Sequence, residues 1–542
     1  MGTRASRIIS LRDDDVMSVW VMYASCASAV FFNGRIHTLD AGKKLARAIA
    51  VADGRVVAVG DDVEIKRLAP RGCHKYDLGG KAVLPGFIDC HTHFIQMGVD
   101  SMNVDLSRTR TLDEAMSLLR ESSKKIPEGE WVIGTGWKET GWKDARFITA
   151  KDLDECCPKH PVVAHRVCGH MSTVNSMAMS LLGIGAKTPD VELDPSGRPT
   201  GILRESAVSI ARAATAPDRA KRLKGLALAI RKAHSLGVTS VHDNGDAKDL
   251  GIYRACERAG KLGVRVWYNT PSANLRSMLS MSVSTGIGSE FLKLGGLKVF
   301  CDGALGARTA ALTEPYADDP SNKGMFVHDR AELEEIVSEA HGAEIQLAIH
   351  AIGDAGIDVA LSSIRSAMDK NPRRDHRHRI EHLELPSPAH LEEMRRLKII
   401  ASMQPNFIGE WGGTEGMYVS RLGTKRASSN NPFREVLRSK VKLVFGSDCM
   451  PFSPTYGIHS AVNAPYDAQR ISVLDAVAAY TRDAAYASFE ERLKGTLAVG
   501  KLADFVVLSA DPFSAPEQIS SIKVVKTVVG GEVVFESTRK EE

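Results

Sequence analysis

Eight short apolar segments, separated by amphipathic stretches, constrain this chain more than any other feature of its sequence. In order they are PGFIDCHTH, VTSVHDNG, VRVWYNT, LKVFCDG, IQLAIHAIGD, HRIEHLE, IIASMQPNF and VKLVFGSD. Their Val/Ile/Leu runs suit strands buried on both faces, as parallel strands are. Stretches between them, such as LKGLALAIRKAHSLG and AELEEIVSEAHGA, carry apolar residues at helical spacing. This alternation predicts an α/β fold, a (β/α)8 TIM barrel. A length of 542 residues exceeds one ordinary core, so additions to the barrel are expected.

Residues 29–84 read as short strands, with Asn33-Gly34 and Asp53-Gly54 as hairpin signals. Residues 491–537 have the same character, with Gly530-Gly531 as a turn. Two β-rich pieces at opposite ends suggest one small β-sandwich domain built from both termini, with the barrel occupying 85–490. The segment 98–225, containing WVIGTGW, VVAHRVCGHMSTVNS and PTGILRES, is too long and patterned for a loop. It is expected to be a lid subdomain inserted after barrel strand 1. Residues 1–28 are expected to form a disordered extension and 538–542 a tail. The apolar run Val19–Val30 resembles a weak export signal, but Asp13, Asp14 and Asp15 stand where such a signal needs positive charge. The run is also too short to span a membrane. A true start near Met17 or Met22 and a cytoplasmic location are the expectations.

Seventy basic and 66 acidic residues leave a net charge of +4, with no dense Lys/Arg run. That balance gives no reason to expect a nucleic-acid partner. Nine cysteines without a CxxC pair fit a reducing compartment.

The strongest local signal is His91-Thr92-His93, ending the first segment. Alternate residues of a strand point the same way, so both imidazoles can face one metal ion. Taken alone, the pair also fits two hydrogen-bonded core histidines. Four further segments carry ligand-type residues at their ends: Lys298, His350, His382 and Asp448. Barrel enzymes place their chemistry at the C-terminal ends of the strands. Imidazoles and carboxylates together suit one or two Zn²⁺, with Mn²⁺ or Fe²⁺ as alternatives. Such an ion lowers the pKa of bound water from about 16 to about 7 and polarises a carbonyl. A nearby carboxylate can take the proton and return it to a leaving nitrogen. No GxSxG elbow or phosphate-cradling loop is present.

These residues, with VLPGFIDCHTH and GTLAVGKLADFVVL, resemble the amidohydrolase superfamily over residues 30 to 535. WVIGTGW, GHMSTVNSMAM, KVFCDGALGARTAAL, HAIGD and RIEHLEL are similar to its family-3 branch, which includes N-substituted formamide deformylase-like proteins. The resemblance implies that His91 and His93 bind one metal and that His350 and His382 bind a second. It implies that Lys298 bridges them as an N6-carboxylated lysine. Asp448 would ligate metal and act as general base, then acid. A buried Lys298 paired with Asp302 is the plainer alternative.

Weaker candidates follow. His170 matches a histidine of the family segment and would contact the scissile carbonyl or the activated water; otherwise it is structural. Arg308 would hold a substrate oxygen or carboxylate, or brace its own loop by a salt bridge. Trp137 and Trp142 would wall an apolar pocket, or belong to a core. Asp302 and Glu381 adjoin ligand positions and would orient them. Cys90 points away from the face used by His91 and His93. The expected activity is hydrolysis of a C–N bond in an amide or formamide-like small molecule. Competing readings are a ring deaminase or hydratase on the same scaffold, or a catalytically silent scaffold protein. A homodimer is the assembly the family suggests.

Overall fold

In the computed structural model, which describes residues 27–537, all eight expected segments are strands of one sheet. They run Phe87–Thr92, Val238–Asn244, Arg265–Pro271, Leu292–Phe300, Gln346–Ala351, Arg379–His382, Ile400–Met403 and Leu443–Phe445, in sequential neighbour order. The pairings from the third strand to the eighth are all parallel. Full burial along Val238–Asn244 and Gln346–Ala351 matches strands covered on both faces. The Asp448 amide donates to the His91 carbonyl at 2.8 Å, joining the last strand's end to the first. The result is a (β/α)8 barrel.

Each helix follows from a local pattern. Arg330–Gly342 starts where Asp329 accepts from the Glu332 amide, and it buries Leu333, Val337 and Ala340 along one stripe. Asp354–Lys370 buries Ile357, Ala360, Leu361, Ile364 and Ala367 at the same spacing.

The described residues form two compact units. One contains the terminal strands. A four-stranded sheet there runs Arg55–Gly60, Ala48–Ala52, Ala29–Phe32, His74–Asp77. A six-stranded sheet mixes both ends of the chain, since Phe505–Leu508 pairs antiparallel with Ala82–Pro85. Phe31, Val51, Ile36, Val83, Phe505 and Val528 share one core, so the two sheets make a sandwich. The expected extension ends earlier than position 28: Ala27 is buried and the Ser28 amide donates to Val51 O. The remainder of that extension, the candidate start sites and the tail 538–542 lie outside the described residues.

The other unit spans Asp89–Lys232 and Val241–Tyr480. Besides the barrel it contains an insertion after the first strand, built on its own six-stranded sheet from Val104–Asp105 to Pro199–Arg204. Leu106, Leu112, Leu119, Trp137, Trp142, Leu153 and Ile202 fill its core. Among the described residues no helix is long and apolar enough to cross a membrane, and the described cysteines are free thiols.

Helix Phe94–Asp100, which leaves the first barrel strand, crosses helix Arg219–Ser235 through two glycines. A Cβ on Gly98 would lie 1.9 Å from the Gly225 carbonyl. Gly98→Ala should therefore destabilise the protein by about 1–3 kcal/mol. Gly251→Ala, in helix Asp249–Arg258 with open space around it, should be neutral or stabilise by up to about 1 kcal/mol. Chemical denaturation of the two variants checks this; equal stabilities would contradict the packing described.

Candidate metal centre

The barrel brings five of the six expected ligand positions into direct register with one another. His91 Nε2 lies 3.4 Å from Lys298 Nζ and 3.7 Å from Asp448 Oδ1, and His93 Nε2 lies 3.3 Å from Asp448 Oδ1. His91, His93 and Asp448 offer ligand atoms within 4.8 Å of one another, spacing that fits a single ion. The His382 ring stands 4.7 Å from that of His91, and the His350 ring 4.4 Å from that of His382. His350 thus joins the group through His382.

Each imidazole has one nitrogen held and the other left toward the group. His91 Nδ1 is held by Glu381 Oε2 at 2.5 Å. His382 Nδ1 donates to Gln404 Oε1 at 2.7 Å, and His350 Nε2 donates to Gly303 O at 3.0 Å. His93 is held by the Asn244 backbone. Partners of this kind fix the tautomer and aim the free lone pair. Burial pushes the pKa values of His91, His350 and His382 well below the usual imidazole range. They are therefore neutral, the form a metal requires. His93 keeps 42% of its side chain exposed, at the open side of the group. Burial also lowers the Lys298 amine and raises the Asp448 carboxyl. This donor set fits a divalent cation.

The local backbone is unusual at two of these points. His382 and Leu383 have φ of 73° and 50°, and Asp448 and Cys449 have φ of 50° and 62°. Left-handed backbone at such residues is sparsely populated. Here it breaks the alternation of the sixth strand, so that Glu381 and His382 both reach His91. Two buried carboxylates hold the turn after the first strand. Asp89 Oδ1 accepts from the His91 and Ser447 amides. Asp243 Oδ1 accepts from the Phe94 amide at 2.6 Å, and its other oxygen from Tyr253 at 2.7 Å. Burial raises both carboxyls to about 7.

Beside the group lies a small cavity whose lining includes His170, His350, His382 and Asp448. The insertion reaches it through one hairpin. Strand Val162–Arg166 pairs antiparallel with Met171–Val174, placing His165 opposite Ser172. The turn between them, with Gly169 at φ 74°, carries Arg166, Cys168 and His170 to the cavity wall. His170 Nδ1 is held by Glu205 Oε2 at 2.9 Å.

Three weaker expectations change. Trp137 does not line the cavity; its indole donates to Ala164 O at 3.0 Å and stacks on Trp142 within the insertion's core. A register shift between Thr135 and Trp137 turns it inward. The aromatic wall is Phe407 and Trp411 instead. Arg308 forks onto Asp318 at 3.1 and 3.0 Å, bracing its loop, and the arginine at the cavity is Arg166. Asp302 does not pair with Lys298. It accepts from the Ile352, Gly353 and Ala311 amides at 2.8–3.0 Å and lies 3.8 Å from His350. Glu381 holds His91 Nδ1. Glu205, Gln404 and Arg166 were not singled out from sequence; only the position of Arg166 beside the GH of CGHMSTVNS offered a cue.

An amidohydrolase family model matches residues 75–535. The protein YtcJ of Bacillus subtilis is 30% identical over 94% of this chain and 100% of its own length. The N-substituted formamide deformylase of Arthrobacter pascens is 28% identical over 94% of this chain and 98% of its own. Among solved structures, an uncharacterised metal-dependent hydrolase from Pyrococcus furiosus is 30% identical, with a TM-score of 0.72 over 90% of this chain and 99% of that one.

Gln404→Leu removes the neutral acceptor that fixes His382. It should weaken metal retention about 10- to 100-fold with little change in fold. Competition with a chromophoric chelator measures this; unchanged retention would place His382 outside the metal group.

Proposed function

Because the chain belongs to the amidohydrolase family, we propose that it is a metal-dependent hydrolase that cleaves a C–N bond, amide or formamide-like, in a small molecule. The meeting of His91, His93 and Asp448 at one point carries this reading. These residues would hold a divalent ion, Zn²⁺ by ligand type with Mn²⁺ or Fe²⁺ as alternatives. His350 and His382 would serve a second ion, and Lys298, as an N6-carboxylated lysine, would bridge the two. When bound, the metal supplies carbonyl polarisation and an activated water.

The chain's own groups do the rest. Asp448 takes the proton from the attacking water and passes it to the leaving nitrogen. Burial raises its carboxyl above the usual range, which favours giving the proton back. His170, steadied by Glu205, stands at the cavity wall where it can donate to the carbonyl oxygen. Burial lowers the Lys298 amine, enlarging the neutral fraction that can add carbon dioxide. The likeness to N-substituted formamide deformylase supports a formamide or simple amide. Phe407 and Trp411 give the cavity an apolar side for the group carried on nitrogen or carbon.

Turnover of a panel of N-substituted formamides, N-acyl amino acids and cyclic amides should disappear on chelation and return with Zn²⁺ or Mn²⁺. Asp448→Asn, assayed metal-loaded, should lose about 10²–10⁴-fold in kcat/KM. Turnover indifferent to chelation, or a fully active Asp448→Asn, would contradict the proposal.

A further inference from the structure

We propose that the cavity selects substrates bearing a carboxylate, and that Arg166 binds it; only the identification of that substrate as an amide rests on the hydrolase reading above. Arg166 is almost fully buried, yet it lines the same cavity as His170, His350 and Asp448. Its fork is already fixed. Nε donates to Glu139 Oε2 at 2.9 Å and Nη2 donates to Glu139 Oε1 at 3.0 Å.

That leaves Nη1 for the cavity. Gly306 faces it so closely that a methyl there would sit 2.8 Å from Nη1. Cys168 is the other side-chain neighbour of the guanidinium, and a thiol is a weak acceptor. The strong acceptor for this N–H is therefore left to a ligand.

Charge count points the same way. Glu139 also receives Arg421 at 3.3 Å, Arg421 reaches Asp318 at 2.6 Å, and Arg308 forks onto Asp318. This connected network holds three guanidiniums, Arg166, Arg308 and Arg421, against two carboxylates, Glu139 and Asp318. The network thus carries one net positive charge, with Arg308 and Asp318 at its solvent-exposed end, and a substrate carboxylate at Nη1 matches that charge. A charge-assisted hydrogen bond from a pre-oriented guanidinium is also a strong one. Leu305, Phe407, Trp411 and Met417 also line the cavity and accept an apolar body. The substrate class is a small amide with one carboxylate and one apolar group, as in an N-acylated amino acid.

Calorimetric titration of the metal-loaded protein with 3-phenylpropionate and with its neutral carboxamide tests the subsite without turnover. Wild type should bind the carboxylate at least about tenfold more tightly than the carboxamide. Arg166→Lys should reduce that preference, because a point charge cannot keep the fork to Glu139 while reaching the ligand. Arg166→Gln combined with Glu139→Gln, which removes both buried charges together, should abolish it. No preference in wild type overturns the proposal. So does a preference left intact in Arg166→Lys and in the double variant, since the carboxylate would then be sitting on the metal; should the double variant not fold, Arg166→Lys decides alone. Turnover of N-acyl amino acids and their carboxamides separates the two claims. Equal turnover of both removes the subsite and keeps the hydrolase. Arg166-dependent carboxylate binding without turnover of these compounds or of the formamides and cyclic amides keeps the subsite and removes the hydrolase.

Discussion

The hydrogen bond from the Asp448 amide to the His91 carbonyl ties the end of the last barrel strand to the end of the first. The two halves of the candidate metal group meet at that seam. His91 and His93 come from one side of it, Asp448 from the other. Gly446 makes the close approach feasible, since a Cβ there would lie 2.3 Å from the His91 amide. Asp89 reinforces the seam by accepting from the amides of both His91 and Ser447. Without this closure the ligand residues would be separate strand ends.

Around the seam the protein holds backbone and charge in costly states. Left-handed geometry at His382, Leu383, Asp448 and Cys449 costs on the order of 1–3 kcal/mol per residue. Buried Asp89 and Asp243 are pushed toward neutrality by desolvation. Arg379 is fully buried and gives its Nε to Glu381, which in turn holds His91. These costs concentrate where five strand ends must present polar groups to one point. A divalent cation would offset them by satisfying lone pairs that otherwise face one another.

Much of this was legible in the sequence. The eight strands stood out because buried parallel strands are nearly continuous apolar runs, and the chemistry-bearing residues stood out because each closes such a run. Glu381 was legible as a neighbour of His382. What the sequence hid depends on long-range geometry. Gln404 and Glu205 meet their histidines 22 and 35 positions away, with no motif linking them. Trp137 was ambiguous because one irregular step after Thr135 decides which face its indole takes. Arg308, expected at the substrate, is turned onto Asp318, while Arg166, held by Glu139 through the same two nitrogens, is the arginine that lies at the cavity. The insertion's turn at Gly169 brings Arg166, Cys168 and His170 to the barrel only through the pairing of two strands within the insertion.

The most direct test of this account is an anomalous-difference map from crystals of the protein as purified, collected across the zinc, iron and manganese edges. The account predicts a peak bonded to His91 Nε2, His93 Nε2 and Asp448, at about 2.0–2.2 Å from each. A map without a peak at that point, from protein also soaked in each metal, would contradict it.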